Sequence, residues 1–126
     1  MLFLILAAAG PVFAAQRPIV NDVQLGSFVV RVSVKIQSGR PAVTCSKAQR
    51  KELTEKSIRM LALSGPFMVS DYISTHPRGA RAGKVLELKL AASCYEGGGL
   101  DIAGAEQNSP YRFQHFEPNS GWQTAG

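Results

Sequence analysis

The stretch Val85–Cys94 reads VLELKLAASC. Leu86, Leu88 and Leu90 recur at every second position, Cys94 falls on the same parity, and Glu87 and Lys89 take the other. That alternation is the signature of a β-strand with one face for a core and one for water. Its terminal thiol sits far from the only other cysteine, Cys45, so a bond between the two would tie the first half of the chain to the second.

Working upstream, Val30, Val32, Val34 and Ile36 alternate with Arg31, Ser33, Lys35 and Gln37, which predicts a β-branched strand starting at Phe28. The cluster Ser38-Gly39-Arg40-Pro41 ends it. The next segment, Lys47 to Ser64, predicts a helix entered through Ser46, with Gln49 three residues on completing a capping box. Leu53, Met60 and Leu61 share one face with the small Ser57 and Ser64, while Lys51, Glu52, Glu55 and Arg59 lie largely opposite. Gly65-Pro66 reads as the stop signal: glycine for a left-handed C′ residue, then proline, which cannot continue the hydrogen-bond ladder.

Beyond that stop, Phe67 to Ile73 reads as a short apolar strand able to pair antiparallel with Val85–Cys94. Downstream of Cys94, Gly97-Gly98-Gly99 marks a hairpin tip, Leu100 and Ile102 resume the pattern, and Asn108-Ser109-Pro110 makes a turn. Tyr111, Phe113 and His115 then alternate with Arg112, Gln114 and Phe116 in a last strand. Arg17–Leu25 carries little pattern and is expected as an irregular arm, and Glu117–Gly126 as a loose tail. The predicted order is β-α-β-β-β-β: an α+β domain in which one amphipathic helix packs on a mostly antiparallel sheet of four to five strands.

The first residues set the expected compartment. Met1 to Ala15 has no charged side chain, an apolar run LFLILAAA, a Gly10-Pro11 break and the ending Val12-Phe13-Ala14. This is the pattern of a secretory signal peptide, residues 1–14, cleaved after Ala14 so that residues 15–126 form one small domain. The run is too short to span a bilayer, which takes about 20 apolar residues, and no second run follows. Export to a secreted or periplasmic location, no membrane span after leader removal, and a Cys45–Cys94 disulfide are the joint expectation.

Charge is unevenly distributed. Residues 17–84 hold 12 Lys and Arg against 4 Asp and Glu, whereas residues 85–126 hold 2 against 5. Such a split favours an anionic macromolecule or a protein as partner, provided that folding gathers the cations on one side. No nucleic-acid recognition motif accompanies them. The loop from His76-Pro77-Arg78 to Lys84 concentrates cations among glycines. It fails as a phosphate loop because the spacing is short, Val85 replaces the magnesium-binding hydroxyl and a strand follows. Arg78, Arg81 and Lys84 are therefore candidate binding residues, with Trp122 as a candidate partner anchor.

Catalytic candidates are few. His76 and His115 would form an acid and base pair if folding brought them together, as in a two-histidine phosphodiesterase or ribonuclease-like hydrolase. No Cys-x-x-Cys or clustered histidines call for a metal or cofactor. The reading that follows is a small exported binding protein acting on a macromolecular partner, as an inhibitor, immunity or envelope-assembly factor; a secreted hydrolase using the two histidines is the alternative.

Overall fold

A computed structural model describes residues 17–79, 83–106 and 111–124; the leader and Arg81 lie outside the described residues. The elements are β1 (Ile19–Leu25), β2 (Phe28–Ile36), α1 (Lys47–Thr75), β3 (Val85–Cys94), β4 (Leu100–Gly104), β5 (Gln114–Glu117) and β6 (Gly121–Thr124). They form a six-stranded sheet in sequential order from β1 to β6. Neighbours pair antiparallel except β2 and β3, which run parallel because α1 carries the chain back across the sheet between them.

The α+β expectation holds, with one helix on a mostly antiparallel sheet, but the sheet has six strands. Both additional strands come from segments with weak patterns. Ile19–Leu25 pairs with β2 through a tight turn at Gly26-Ser27, where Gly26 has φ +60°. Gly121–Thr124 pairs with β5, so the expected irregular arm and loose tail are edge strands.

The larger correction concerns α1. It begins as read, with Ser46 Oγ accepting from the Gln49 N–H and the Ser46 N–H donating to Gln49 Oε1. It then runs through Gly65-Pro66 to Thr75 as 29 residues, so Phe67–Ile73 is helical and forms no strand. Two features of Gly65 explain why the proline is tolerated. Proline crowds the Cβ of the residue before it, and glycine has none. Gly65 also lies tight against the sheet: a Cβ there would sit 2.7 Å from Leu25 Cδ1. The glycine read as a cap thus serves as a contact point, and packing on the sheet holds the helix together across the missing hydrogen bond.

The core lies between α1 and one face of the sheet. Leu53, Ser57, Met60, Leu61, Ser64 and Gly65 are buried on the helix. They meet Val30, Val32, Val34, Leu88, Leu90, Ala92, Leu100 and Ile102, all at most 7 % exposed. The parity of VLELKLAASC is realised, with Leu88, Leu90, Ala92 and Cys94 turned inward. The disulfide joins Cys45, just before α1, to Cys94 at the end of β3. Both sulfurs are buried, which fixes the start of the helix to the middle of the sheet. Such a bond is compatible with an oxidising compartment.

Candidate functional site

The two halves of α1 differ in chemistry. From Lys47 to Arg59 it carries seven charged side chains, whereas from Met60 to Thr75 it carries Asp71 alone. A helical segment that is apolar around most of its circumference belongs in an interior. Here only one side is covered. Leu63 and Phe67, one turn apart, are 77 % and 78 % exposed, and Ile73 is 46 % exposed.

Leu63 and Phe67 form one wall of a groove of about 620 Å³. Met68, Leu88 and Tyr111 contribute further apolar lining, and burial pushes the Tyr111 hydroxyl above its usual pKa. The opposite wall is Glu87–Lys89, in the first half of β3. Because β4 pairs with β3 only from Leu90 onward, residues 85–89 have a strand neighbour on the β2 side alone among the described residues. Asp71, Glu87 and Glu106 stand around the groove against a single base, Lys89. Lys89 Nζ lies 4.0 Å from Glu87 Oε1, and Ser33 Oγ donates to the other Glu87 oxygen at 3.0 Å. The lining therefore combines apolar side chains with an excess of acids over bases. A smaller groove of about 460 Å³, lined by Leu25, Phe28, Pro66, Val69 and Ile73, follows the other flank of the same half-helix.

The residues singled out from sequence are scattered over the fold. Arg78 is exposed just past α1, and Lys84 Nζ lies 6.0 Å from the centroid of the Tyr72 ring. Lys47, Arg50 and Lys51 are at the opposite end of a helix about 43 Å long, and Arg31, Lys35 and Lys89 lie on the sheet face turned away from α1. Among the described residues, these cations are divided between the two ends of α1 and the outer sheet face.

Trp122 is committed to packing. On β6 its indole faces α1, Nε1–H donates to Glu52 Oε2 at 2.8 Å, and the ring packs tilted on Phe116 at 5.2 Å. Lys56 Nζ sits 5.1 Å from the ring centroid, and its pKa falls, chiefly through desolvation. The side chain latches the end of the sheet to the charged half of the helix.

The two histidines occupy different places. His76 caps the end of α1, stacked on Tyr72 at 4.3 Å with Nδ1 within 3.0 Å of the Tyr72 carbonyl. Tyr72 in turn packs edge-on against Phe28, at the end of the sheet where β2 and β3 begin. His115 lies opposite Asp101, which lies opposite Ser93 near the end of β3. Val85 to Ser93 spans roughly 26 Å of strand, so the pair shares no site.

His115 has a local constellation of its own on the outer sheet face. Nδ1 contacts Asp101 Oδ1 and Nε2 contacts Glu117 Oε2, each at 2.6 Å, while Tyr95 O–H donates to Asp101 Oδ2 at 2.7 Å. The Asp101 and Glu117 carboxylates raise the histidine pKa above its ordinary value, and the hydrogen bond to Asp101 raises that of Tyr95. Both ring nitrogens of His115 are occupied by carboxylates, which favour the protonated ring and leave neither nitrogen open to a substrate. It binds β4 to β5. Among the described residues, no group of three or more His, Cys, Asp or Glu has the arrangement needed to hold a metal ion.

No family model matches the chain, and neither the curated proteins nor the solved structures contain a match. The groove was missed from sequence because Gly65-Pro66 divided the helix. With residues 47–75 read as one helix, Leu63 and Phe67 stand out as apolar positions beyond the Leu53-Ser57-Met60-Leu61-Ser64 stripe. The abrupt loss of charge after Arg59 was the available signal.

Proposed function

We propose that this chain is a small exported binding protein whose partner-binding surface is the groove between the second half of α1 and the first half of β3. The observation that carries the reading is the exposure of Leu63 and Phe67 on a half-helix with a single charge. Large apolar side chains exposed together and bordered by charge are characteristic of interaction sites. Binding therefore centres on the groove, and Arg78 and Lys84, in the segment between α1 and β3, lie outside its lining. Export rests on the leader pattern, with the buried disulfide as support. Inhibitor, immunity and envelope-assembly roles all belong to this class. The hydrolase alternative loses ground because its two histidines stand apart and each is engaged in local contacts.

Site-specific photocrosslinking in the native compartment tests the reading. A photoreactive residue at position 67 should give a discrete crosslinked product, while the same residue at Lys35, on the outer sheet face, should not. Leu63→Ser should diminish the product at position 67. Equal yields from positions 67 and 35, or a product insensitive to Leu63→Ser, would refute it.

A further inference from the structure

The walls of the groove define the shape of what it accepts. One is an apolar helix flank. The other is Glu87–Lys89 of β3, and on the β4 side of that strand Val85–Leu88 have no ladder partner among the described residues. Peptide N–H and C=O groups alternate in direction along a strand. In β3, the Lys84 and Ala92 carbonyls accept from β2 and from Gln37 just beyond it, so even-numbered residues point their peptide groups toward β2. Odd-numbered residues point theirs the other way, as Lys89 does when its carbonyl accepts from the Ala105 N–H at 3.0 Å. The peptide groups of Val85 and Glu87 therefore face the groove side. A strand edge beside an apolar helix is the setting in which an extended segment adds to a sheet, its backbone supplying hydrogen bonds and alternate side chains entering the cleft.

The surrounding charges define composition. A segment lying beside Val85–Lys89 would turn every second side chain toward α1, onto Leu63, Phe67, Met68, Leu88 and Tyr111. The intervening side chains would turn to the outer face beside Glu87 and Lys89, while Asp71 on α1 and Glu106 add two further carboxylates to the groove, so that acids outnumber bases around it. We infer that the partner presents an extended segment of alternating apolar and cationic residues, which adds as a strand to the β3 edge in this groove. The inference rests on the groove being the partner-binding surface and adds the conformation and charge of what it binds.

The test uses a fluorescein-labelled heptapeptide, Lys-Val-Lys-Val-Lys-Val-Lys, with fluorescence anisotropy as readout. Binding is expected, with amide shifts in the NMR spectrum centred on residues 63–71 and 85–89. Affinity should fall at least about tenfold when the lysines are replaced by glutamate, when alternate peptide nitrogens are methylated, and in the Glu87→Lys and Phe67→Ser proteins. Phe67 is too exposed for its loss to unfold the protein, and circular dichroism checks this. Equal binding of the N-methylated peptide would rule out strand addition, and equal binding of the glutamate peptide would rule out the charge assignment. If no alternating peptide binds while the position-67 crosslink persists and is lost with Leu63→Ser, the inference fails and the groove remains the binding surface. Absence of both removes the binding reading as well. A concentration-dependent dimer broken by Phe67→Ser would give the groove to a second copy of the chain and overturn the assignment.

Discussion

Trp122→Ala separates a latch from a partner anchor, and its cost can be worked from the contacts. The indole N–H bond to Glu52 is charge-assisted, a class contributing about 1.5–3 kcal/mol; Glu52 is 27 % exposed at its side chain, so the low end applies. Stacking against Phe116 adds about 0.5–1 kcal/mol and the Lys56 cation a similar amount at a partly exposed site. The expected loss is about 3 kcal/mol, which for a domain of this size lowers Tm by roughly 10–20 °C. Trp122→Phe keeps the ring packing and removes the donor, so it should lose about half as much. Glu52→Gln combined with Trp122→Phe should show coupling of about 1 kcal/mol. Denaturant unfolding followed by circular dichroism measures all of these. Trp122 is the sole tryptophan, so its emission in the parent protein reports independently when the latch opens. If Trp122→Ala leaves stability within about 0.5 kcal/mol of the parent while abolishing the position-67 crosslink, the packing argument is refuted and the indole is a binding anchor.

Replacing Cys45 and Cys94 together by alanine should cost about 4 kcal/mol, from the entropy of closing a loop with a sequence separation of 49; chemical denaturation of the oxidised parent and the variant checks it. Leu61→Ala, at 2 % exposure, should cost about 2–5 kcal/mol, whereas Phe67→Ser should change stability by less than about 0.5 kcal/mol, a contrast read in the same unfolding experiment. The raised pKa of His115 predicts a defined pH trend. Its charged contacts with Asp101 and Glu117 contribute fully below the ordinary value of 6.5 and are lost as pH rises through the higher folded value. Stability relative to His115→Gln should accordingly decline across that interval, with NMR of the ring protons locating the folded pKa. Pro66→Ala should stabilise the protein by about 1–3 kcal/mol by restoring a helical donor; a loss of stability would show that the proline sets the helix path on the sheet.

Periodicity carried its information where one face of an element is buried and the other solvated. VLELKLAASC, the alternating valines of β2 and the capped start of α1 satisfy that condition, so their conformations, faces and parity were legible from residue order alone. The cysteine pairing followed from there being two cysteines in a chain with a leader pattern. What failed were signals whose meaning depends on a distant neighbour. Gly65-Pro66 is a helix stop in an isolated segment, but Leu25 at the sheet makes glycine the residue that permits close approach, and the packed helix continues. Ile19–Leu25 and Gly121–Thr124 are edge strands, whose pairing comes from the strand beside them and leaves little alternation to read. Trp122 and His115 looked available because a sequence does not show Glu52, Asp101 or Glu117 converging on them. The groove belongs wholly to this second class. Its wall is the half of β3 that β4 leaves uncovered, and its floor comes from residues far apart in the chain, so strand register and helix length, both decided by tertiary packing, brought it into being.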